Sequence, residues 1–412
     1  MGFSTSFSRL NWVQNDSMSN LTSMRTRLGV EVLLNEKIEL IRGKRVGLVC
    51  NQASILPDFR HVADVFGEGT EFELTTLFGP QHGIRGDVQD NMIETPHTVD
   101  ERTGKPVYSL YSETREPTAE MLENVDAIVF DMQDVGCRIY TFIYTMANCM
   151  RAAKKYGKQV IVCDRPNPIN GVQVEGNITE DAFKSFVGQY EIPTRHGMNV
   201  AELAKMFNEH FGIGCDLEVV LMEGWERPFW YEQTGLPWVL PSPNMPTVDT
   251  AVVFPATVHF EGTELSEGRG TTKPFELIGA PFIDPYDYSA ELRKYNFAGV
   301  AFRETSFRPT FQKCAEQNCG GVQIHVTKRE AFTPVIVGIA MIKTAYDMYT
   351  EQFQWKQTAY EYVFDKNPFD VVCGTDKIRK QIESGISVRE IEESWENGLA
   401  DFNRVRSEFL LY

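Results

Sequence analysis

The sequence has no apolar run of about eighteen residues, the length a membrane-spanning helix requires, so no transmembrane segment is expected. Residues 1–29 hold no apolar core of the kind a secretory signal carries, and they read as a polar, mobile leader rich in Ser and Asn. Metal-binding patterns are missing too. The eight cysteines are scattered, and Cys314 and Cys319 form the only close pair, with no second pair or histidine cluster to complete a zinc site. No metal is expected, and free thiols in a reducing cytoplasm are the simplest reading. Positive charge is in short supply: 40 Lys and Arg against 57 Asp and Glu give a net charge of −17. That argues against sequence-independent nucleic-acid binding, which needs a basic face. No G-x-G-x-x-G follows a strand, so a doubly wound fold here does not imply a dinucleotide, and no cofactor is expected. No G-x-S-x-G presents a serine nucleophile. Internal repeats and low-complexity segments are absent as well.

What the chain does have is four apolar runs that stop abruptly at polar residues. Arg45–Cys50 runs into Asn51 and Gln52, and Phe72–Phe78 into Gly79-Pro80 and then Gln81, His82, Arg85 and Asp87. Asp126–Asp131 runs into Gln133, Asp134 and Arg138, and Gln159–Asp164 into Arg165 and Asn167. Runs apolar on every residue suit strands buried on both faces, and their alternation with helical stretches predicts an α/β fold with a parallel sheet. The strand ends of such a sheet share one edge, so these groups are expected to converge on one crevice. A short helix is expected over Pro117–Val125. The three prolines of Leu240–Pro246 exclude helix and inner strand there, which divides the chain into residues 30–246 and a smaller α+β domain over 247–412. In that second part Val252–Phe260 reads as a strand, and Val335–Tyr349 as a buried helix.

Carboxylates at loop ends are plentiful, among them Asp131, Asp134, Glu175, Glu261, Glu264 and Glu267. A pair of carboxyl groups is what glycoside hydrolysis needs, one as acid and one as base or nucleophile, though the sequence does not say which two meet. His82 and His196 each sit beside glycine, open either to a structural or to a chemical role. Trp225, Trp230, Tyr231 and Trp238 read equally as a sugar platform or as a domain-interface cluster. The loop Gly262–Thr271 reads equally as a flexible connection or as an anion contact through Arg269.

The segments FGPQHGIRGD, DAIVFDMQDVGCRIYTFIYTM, DRPNPING, RHGM, TGLPWVLPSPNMP and FEGTELSEGRGTTKPFELIGAPFID resemble, in that order, the NamZ-type exo-β-N-acetylmuramidases. The resemblance runs from about Val46 to the C-terminus. It implies a Rossmann-like N-terminal domain without a dinucleotide, a smaller C-terminal domain, and an active-site cleft between them. It also implies metal-free release of N-acetylmuramic acid from the non-reducing end of peptidoglycan fragments. The substrate would then be a small saccharide or muropeptide, with no nucleic acid or membrane as partner. Two positions depart from the family pattern: Gln81 stands where a glutamate is usual, and Glu264 where an asparagine is usual. An amide cannot deliver a proton as a carboxylic acid does. A sugar-binding relative without catalysis is therefore the alternative to a hydrolase. The expected catalytic set is Gln81, His82, Glu261, Glu264 and Asp131. Substrate contacts are expected from Asn51, Arg85, Asp87, Gln133, Arg138 and Tyr140 at the first three strand ends. Asp164, Arg165, Asn167, Glu175, Arg195, His196, Asn244 and Arg269 are expected to supply the rest.

Overall fold

A computed structural model of the chain describes residues 25–86, 88 and 93–412; Asp87 and most of the polar leader lie outside the described residues. Strands β1 (Arg45–Val49), β2 (Glu73–Gly79), β3 (Thr98–Val99), β4 (Pro106–Ser109), β5 (Ala127–Phe130) and β6 (Gln159–Cys163) belong to a seven-stranded sheet completed by β9 (Asp216–Val220). The order across it is β3-β4-β2-β1-β5-β6-β9. Only the β3–β4 edge pair is antiparallel. Every residue of β5 is buried, as are four of the five in β1 and in β6, which explains why these runs are apolar throughout. At the edge, β9 exposes Asp216 and Glu218, charges that discourage a further strand from adding there. Between β6 and β9, β7 (Glu175–Ile178) and β8 (Pro193–Arg195) form a small antiparallel pair.

Helices α1 (Gly29–Glu36), α2 (Val62–Gly67), α3 (Phe142–Tyr156) and α4 (Val200–Glu209) accompany this sheet. Gly157 ends α3 at φ +64°, a left-handed cap that glycine adopts without a Cβ clash. At α4 the capping box forms as the sequence predicts, with Asn199 and Glu202 satisfying each other's backbone N–H groups. The expected helix over Pro117–Val125 is instead a series of turns.

The second part of the chain is built on an antiparallel sheet in the order β10-β12-β11, from β10 (Leu277–Ala280), β11 (Val300–Phe307) and β12 (Cys319–Val326). Here the reading of Val252–Phe260 as a strand is corrected. The segment is helix α5 (Val248–Thr257), running into a 3₁₀ turn over Val258–Gly262. Its β-branched residues mimic a buried strand, and a short run apolar on all sides does not separate the two states. Thr247 decides the matter locally by capping the N–H of Thr250. Packing decides it globally: α5 lies against α7 (Pro334–Met348), where a Cβ on Gly338 would stand 1.9 Å from the Ala256 carbonyl oxygen. Between them comes α6 (Pro285–Arg293), and the chain ends in α8 (Pro368–Cys373), α9 (Lys377–Glu383), α10 (Val388–Glu393) and α11 (Glu396–Arg406).

The C-terminal residue returns to the first sheet. The Tyr412 hydroxyl donates to Asp164 Oδ2 at 2.7 Å, and the Ala201 N–H donates to Oδ1 at 3.0 Å. Burial pushes the Asp164 carboxyl up to about 7. An unfolded aspartic acid titrates near ~3.9, so the native state binds this proton more tightly. The resulting stability is full below pH ~4 and is lost as pH rises toward about 7. Melting curves at pH 5 and pH 8 are expected to show a larger loss in the wild type than in Asp164→Asn, whose amide does not titrate. Equal losses in the two proteins would remove Asp164 as the source.

Candidate active-site cleft

Three of the four polar strand ends are occupied by the fold itself. Arg165 makes a bidentate pair with Asp131 at 2.7 and 2.8 Å and also donates to the Ile55 carbonyl. Asn51 donates to the Pro241 carbonyl and accepts from the Ala53 N–H. Gln133 donates to the carbonyls of Asp134 and Pro166, and Asn167 to that of Met198. Arg138 is fully buried, and its guanidinium donates to the carbonyls of Asn177, Ile192, Val372 and Cys373. Glu175 pairs with Arg195 at 2.8 Å, and His196 Nε2 lies 3.4 Å from Asp134. Arg85 is held by Asp100. Arg138 and these other groups stitch loops together, and Asp164 anchors the C-terminus. None of them lines the cleft, so the expectation of a shared crevice is corrected here: backbone carbonyls and neighbouring carboxylates consume their donors. Trp225, Trp230 and Tyr231 are buried in packing, not set out as a sugar platform.

The end of β2 does open onto a cleft. It is narrow, with a cavity volume of about 40 Å³, and is lined by Gln81 and His82, by Tyr140 and Thr141 ahead of α3, by Ser242 and Asn244, and by Glu261, Arg269, Tyr360 and Glu361. Six of the expected residues therefore meet: Gln81, His82, Tyr140, Asn244, Glu261 and Arg269. Glu264 does not join them. It sits three residues after Glu261, past the end of the 3₁₀ turn, and is exposed. Chain from both halves of the protein forms the walls, because the Tyr360-Glu361 segment and the α5 turn face the loop after β2.

Charge inside the cleft is organised around Arg269. It pairs with Glu261 and stands 3.2 Å from Glu267, while Lys313 holds Glu267 at 2.7 Å. Glu261 also accepts from the Tyr360 hydroxyl. Two carboxylates and two cations, all largely buried, satisfy one another in this cluster, as buried charges must. The Arg269 loop is thus neither a flexible connection nor a vacant anion site, since its guanidinium already has two carboxylate partners.

Glu361 lies nearby on different terms. Tyr360–Val363 closes as a hairpin turn, with the Val363 N–H donating to the Tyr360 carbonyl at 2.9 Å. Its two central residues, Glu361 and Tyr362, have φ of +45° and +64°, the pattern of a type I′ turn. That turn favours Asn-Gly, and carrying two larger side chains through left-handed backbone is strained. His82, across the cleft, is likewise left-handed at φ +73°. Such strain concentrates at functional sites, where the surrounding structure holds it in place. The Tyr111 hydroxyl donates to Glu361 Oε2 at 2.8 Å, and the Gln81 amide makes a long 3.4 Å contact with Oε1. The other end of the Gln81 amide accepts from the Thr141 hydroxyl at 2.9 Å. Burial raises the Glu361 carboxyl above the ordinary glutamate range, against the opposing effect of the Tyr111 hydrogen bond. Arg115 lies over the Tyr111 ring at 4.0 Å and the Tyr362 ring at 5.0 Å. Nothing in the sequence marks Glu361: neither Glu nor Tyr signals a type I′ turn, so the hairpin that aims it is silent. Among the described residues, no group of three or more His, Cys, Asp and Glu side chains is placed to hold a metal.

Comparison with known proteins assigns both halves of this cleft to one family. The model for the N-terminal domain of exo-β-N-acetylmuramidase NamZ matches residues 46–249, and the model for its C-terminal domain matches 252–412. The Bacillus subtilis peptidoglycan β-N-acetylmuramidase NamZ is 47% identical over 388 residues, covering 94% of this chain and 92% of that protein. Crystal structures of two DUF1343 family proteins from Bacteroides fragilis are similar over 94% of the chain, with TM-scores of 0.85 and 0.72 at 34% and 28% identity. Each structure is covered over 99% of its length.

Proposed function

Since the chain belongs to the NamZ exo-β-N-acetylmuramidase family, we propose that it is a glycoside hydrolase releasing N-acetylmuramic acid from the non-reducing end of peptidoglycan fragments. One observation carries the reading at the level of chemistry: two buried carboxyl groups from separate segments, Glu261 and Glu361, line one cleft. A glycosidase needs two such groups in different electrostatic settings. Here one is paired with an arginine, while burial raises the other. The amide at position 81 therefore does not leave the cleft without a carboxylic acid, and a purely sugar-binding role loses its motive.

The lactyl carboxylate separates this sugar from N-acetylglucosamine. Arg269, Arg165, Arg195 and Arg85 already have carboxylate partners. Arg115 is not among the residues that line the cleft, but it stacks on Tyr111, which holds Glu361, and its charge acts on that carboxyl. It is the reading's choice for this contact, by a planar bidentate fork. The site of action would be the reducing cytoplasm, on imported wall fragments being recycled. The eight cysteines are all free thiols, and no helix among the described residues is long and apolar enough to cross a membrane.

Oligosaccharides capped at the non-reducing end by either sugar test this. Mass spectrometry is expected to find free N-acetylmuramic acid from the muramyl-capped series and no product from the glucosaminyl-capped one. Arg115→Gln is expected to raise KM on the former by about tenfold, one lost charge-assisted contact. No release from either series would overturn the function, and an unchanged KM would remove Arg115 from the site.

A further inference from the structure

We propose that Glu361 is the general acid of this cleft and that Gln81 and Tyr111 are its positioning residues, an assignment that rests on the hydrolase reading above. Geometry selects Glu361. Its turn carries left-handed backbone at both central residues and aims a carboxyl into the wall opposite the end of β2. There the Gln81 amide reaches one oxygen and the Tyr111 hydroxyl the other, so the group is held from two sides by neutral donors. These two hydrogen bonds and the nearby charge of Arg115 oppose the effect of burial on the Glu361 proton without overcoming it. Glu261 has the opposite surroundings, with Arg269 against it. Chemistry then divides the roles. An acid must hold a proton at working pH and sit in a poorly solvated site, and burial raises Glu361 in that direction.

In the step assigned to it, the Glu361 carboxyl gives its proton to the glycosidic oxygen. The C1–O bond breaks, and its electron pair goes to that oxygen, which leaves as the sugar hydroxyl. Water adds its oxygen to C1, and the proton it sheds returns through solvent to the Glu361 carboxylate. The sum is glycoside plus water giving N-acetylmuramic acid plus the shortened sugar chain, with no oxidant or further reactant. Gln81 is fixed in turn by Thr141, which makes it a two-ended strut between the start of α3 and the acid.

The test compares two substrates of the full chain: a muramyl disaccharide, whose leaving group is a sugar alcohol, and a dinitrophenyl muramyl glycoside, whose leaving group departs without a proton. Glu361→Gln is expected to reduce kcat/KM on the disaccharide by about 10²–10⁴, and on the dinitrophenyl glycoside by less than about tenfold. The alkaline limb of the wild-type disaccharide pH–rate profile, which reports the acid, is expected to vanish from that residual activity. Gln81→Glu supplies a second measurement if Glu361→Gln folds poorly. Two adjacent carboxyls cannot both ionise readily, so the alkaline limb is expected to move to higher pH. Equal losses on both substrates, or an unmoved limb in Gln81→Glu, would overturn the assignment while leaving the hydrolase standing. A wild type inactive on both substrates would overturn the two together.

Discussion

Arg138→Met is expected to cost a large share of the stability of the protein. The guanidinium donates to four backbone carbonyls, those of Asn177, Ile192, Val372 and Cys373, which bring β7, the approach to β8 and the end of α8 to one point. Methionine fills similar space and donates nothing. The Cys373 carbonyl keeps the Asn177 side-chain amide at 2.7 Å and the Ile192 carbonyl keeps the Thr179 N–H at 3.4 Å, so the carbonyls of Asn177 and Val372 lose the most. At about 1–3 kcal/mol for each stranded buried carbonyl, the two cost about 2–6 kcal/mol against a total stability of ~5–15 kcal/mol. Arg138→Lys keeps the charge but not the fork, and it is expected to fall between the two. Urea unfolding measures the loss. In the same Arg138→Lys preparation, the rate per folded molecule is expected to stay near that of the wild type, because Arg138 does not line the cleft. A stable variant with a collapsed rate would return Arg138 to the substrate.

Glu261→Gln is expected to do the reverse: little loss of stability and a large loss of rate. The amide is nearly isosteric: its oxygen still accepts from Arg269, and its NH2 donates to the Tyr360 hydroxyl, which turns from donor to acceptor, so the wall of the cleft keeps its shape. What disappears is a negative charge beside a transition state with positive character on the sugar ring. Removing one preorganised electrostatic partner costs about 10²–10³ in kcat. Unlike Glu361→Gln, the loss is expected on the disaccharide and the dinitrophenyl glycoside alike, since a charge stabiliser serves both leaving groups. Removing Arg269 instead strands Glu261 and leaves Glu267 with Lys313 alone, so Arg269→Met is expected to lower both stability and rate. A Glu261→Gln protein with unchanged kcat would exclude this carboxylate from the chemistry.

The sheet was legible in the sequence because each of its central strands is buried on both faces, which leaves no alternative to a continuous apolar run. β1, β2, β5 and β6 stand where those runs stand. Helix α5 was not legible, since Val252, Val253 and Phe254 are buried on every side and carry no period. Half of the lining of the candidate cleft was legible for a similar reason. Gln81 and His82 follow a strand that ends at a Gly-Pro break, and Glu261 and Arg269 bracket a glycine-rich loop. Its other half, Thr141, Ser242, Tyr360 and Glu361, depends on a long-range meeting of the two halves of the chain, and local pattern carries none of that. The polar strand ends misled because sequence shows donors and acceptors but not their partners. Asp131 and Arg165, separated by 34 positions, satisfy each other.

The cleft itself is tested most directly by a crystal structure of Glu361→Gln with a muramyl disaccharide bound, the variant slowing turnover enough to retain the sugar. The expected result is density for the disaccharide between Gln81, Glu261 and residue 361, with the glycosidic oxygen within hydrogen-bond reach of the new amide, about 2.6–3.2 Å. Density for the sugar elsewhere, for instance in the surface groove lined by Leu34, Ile38, Phe72 and Pro237, with the cleft empty, would contradict the account.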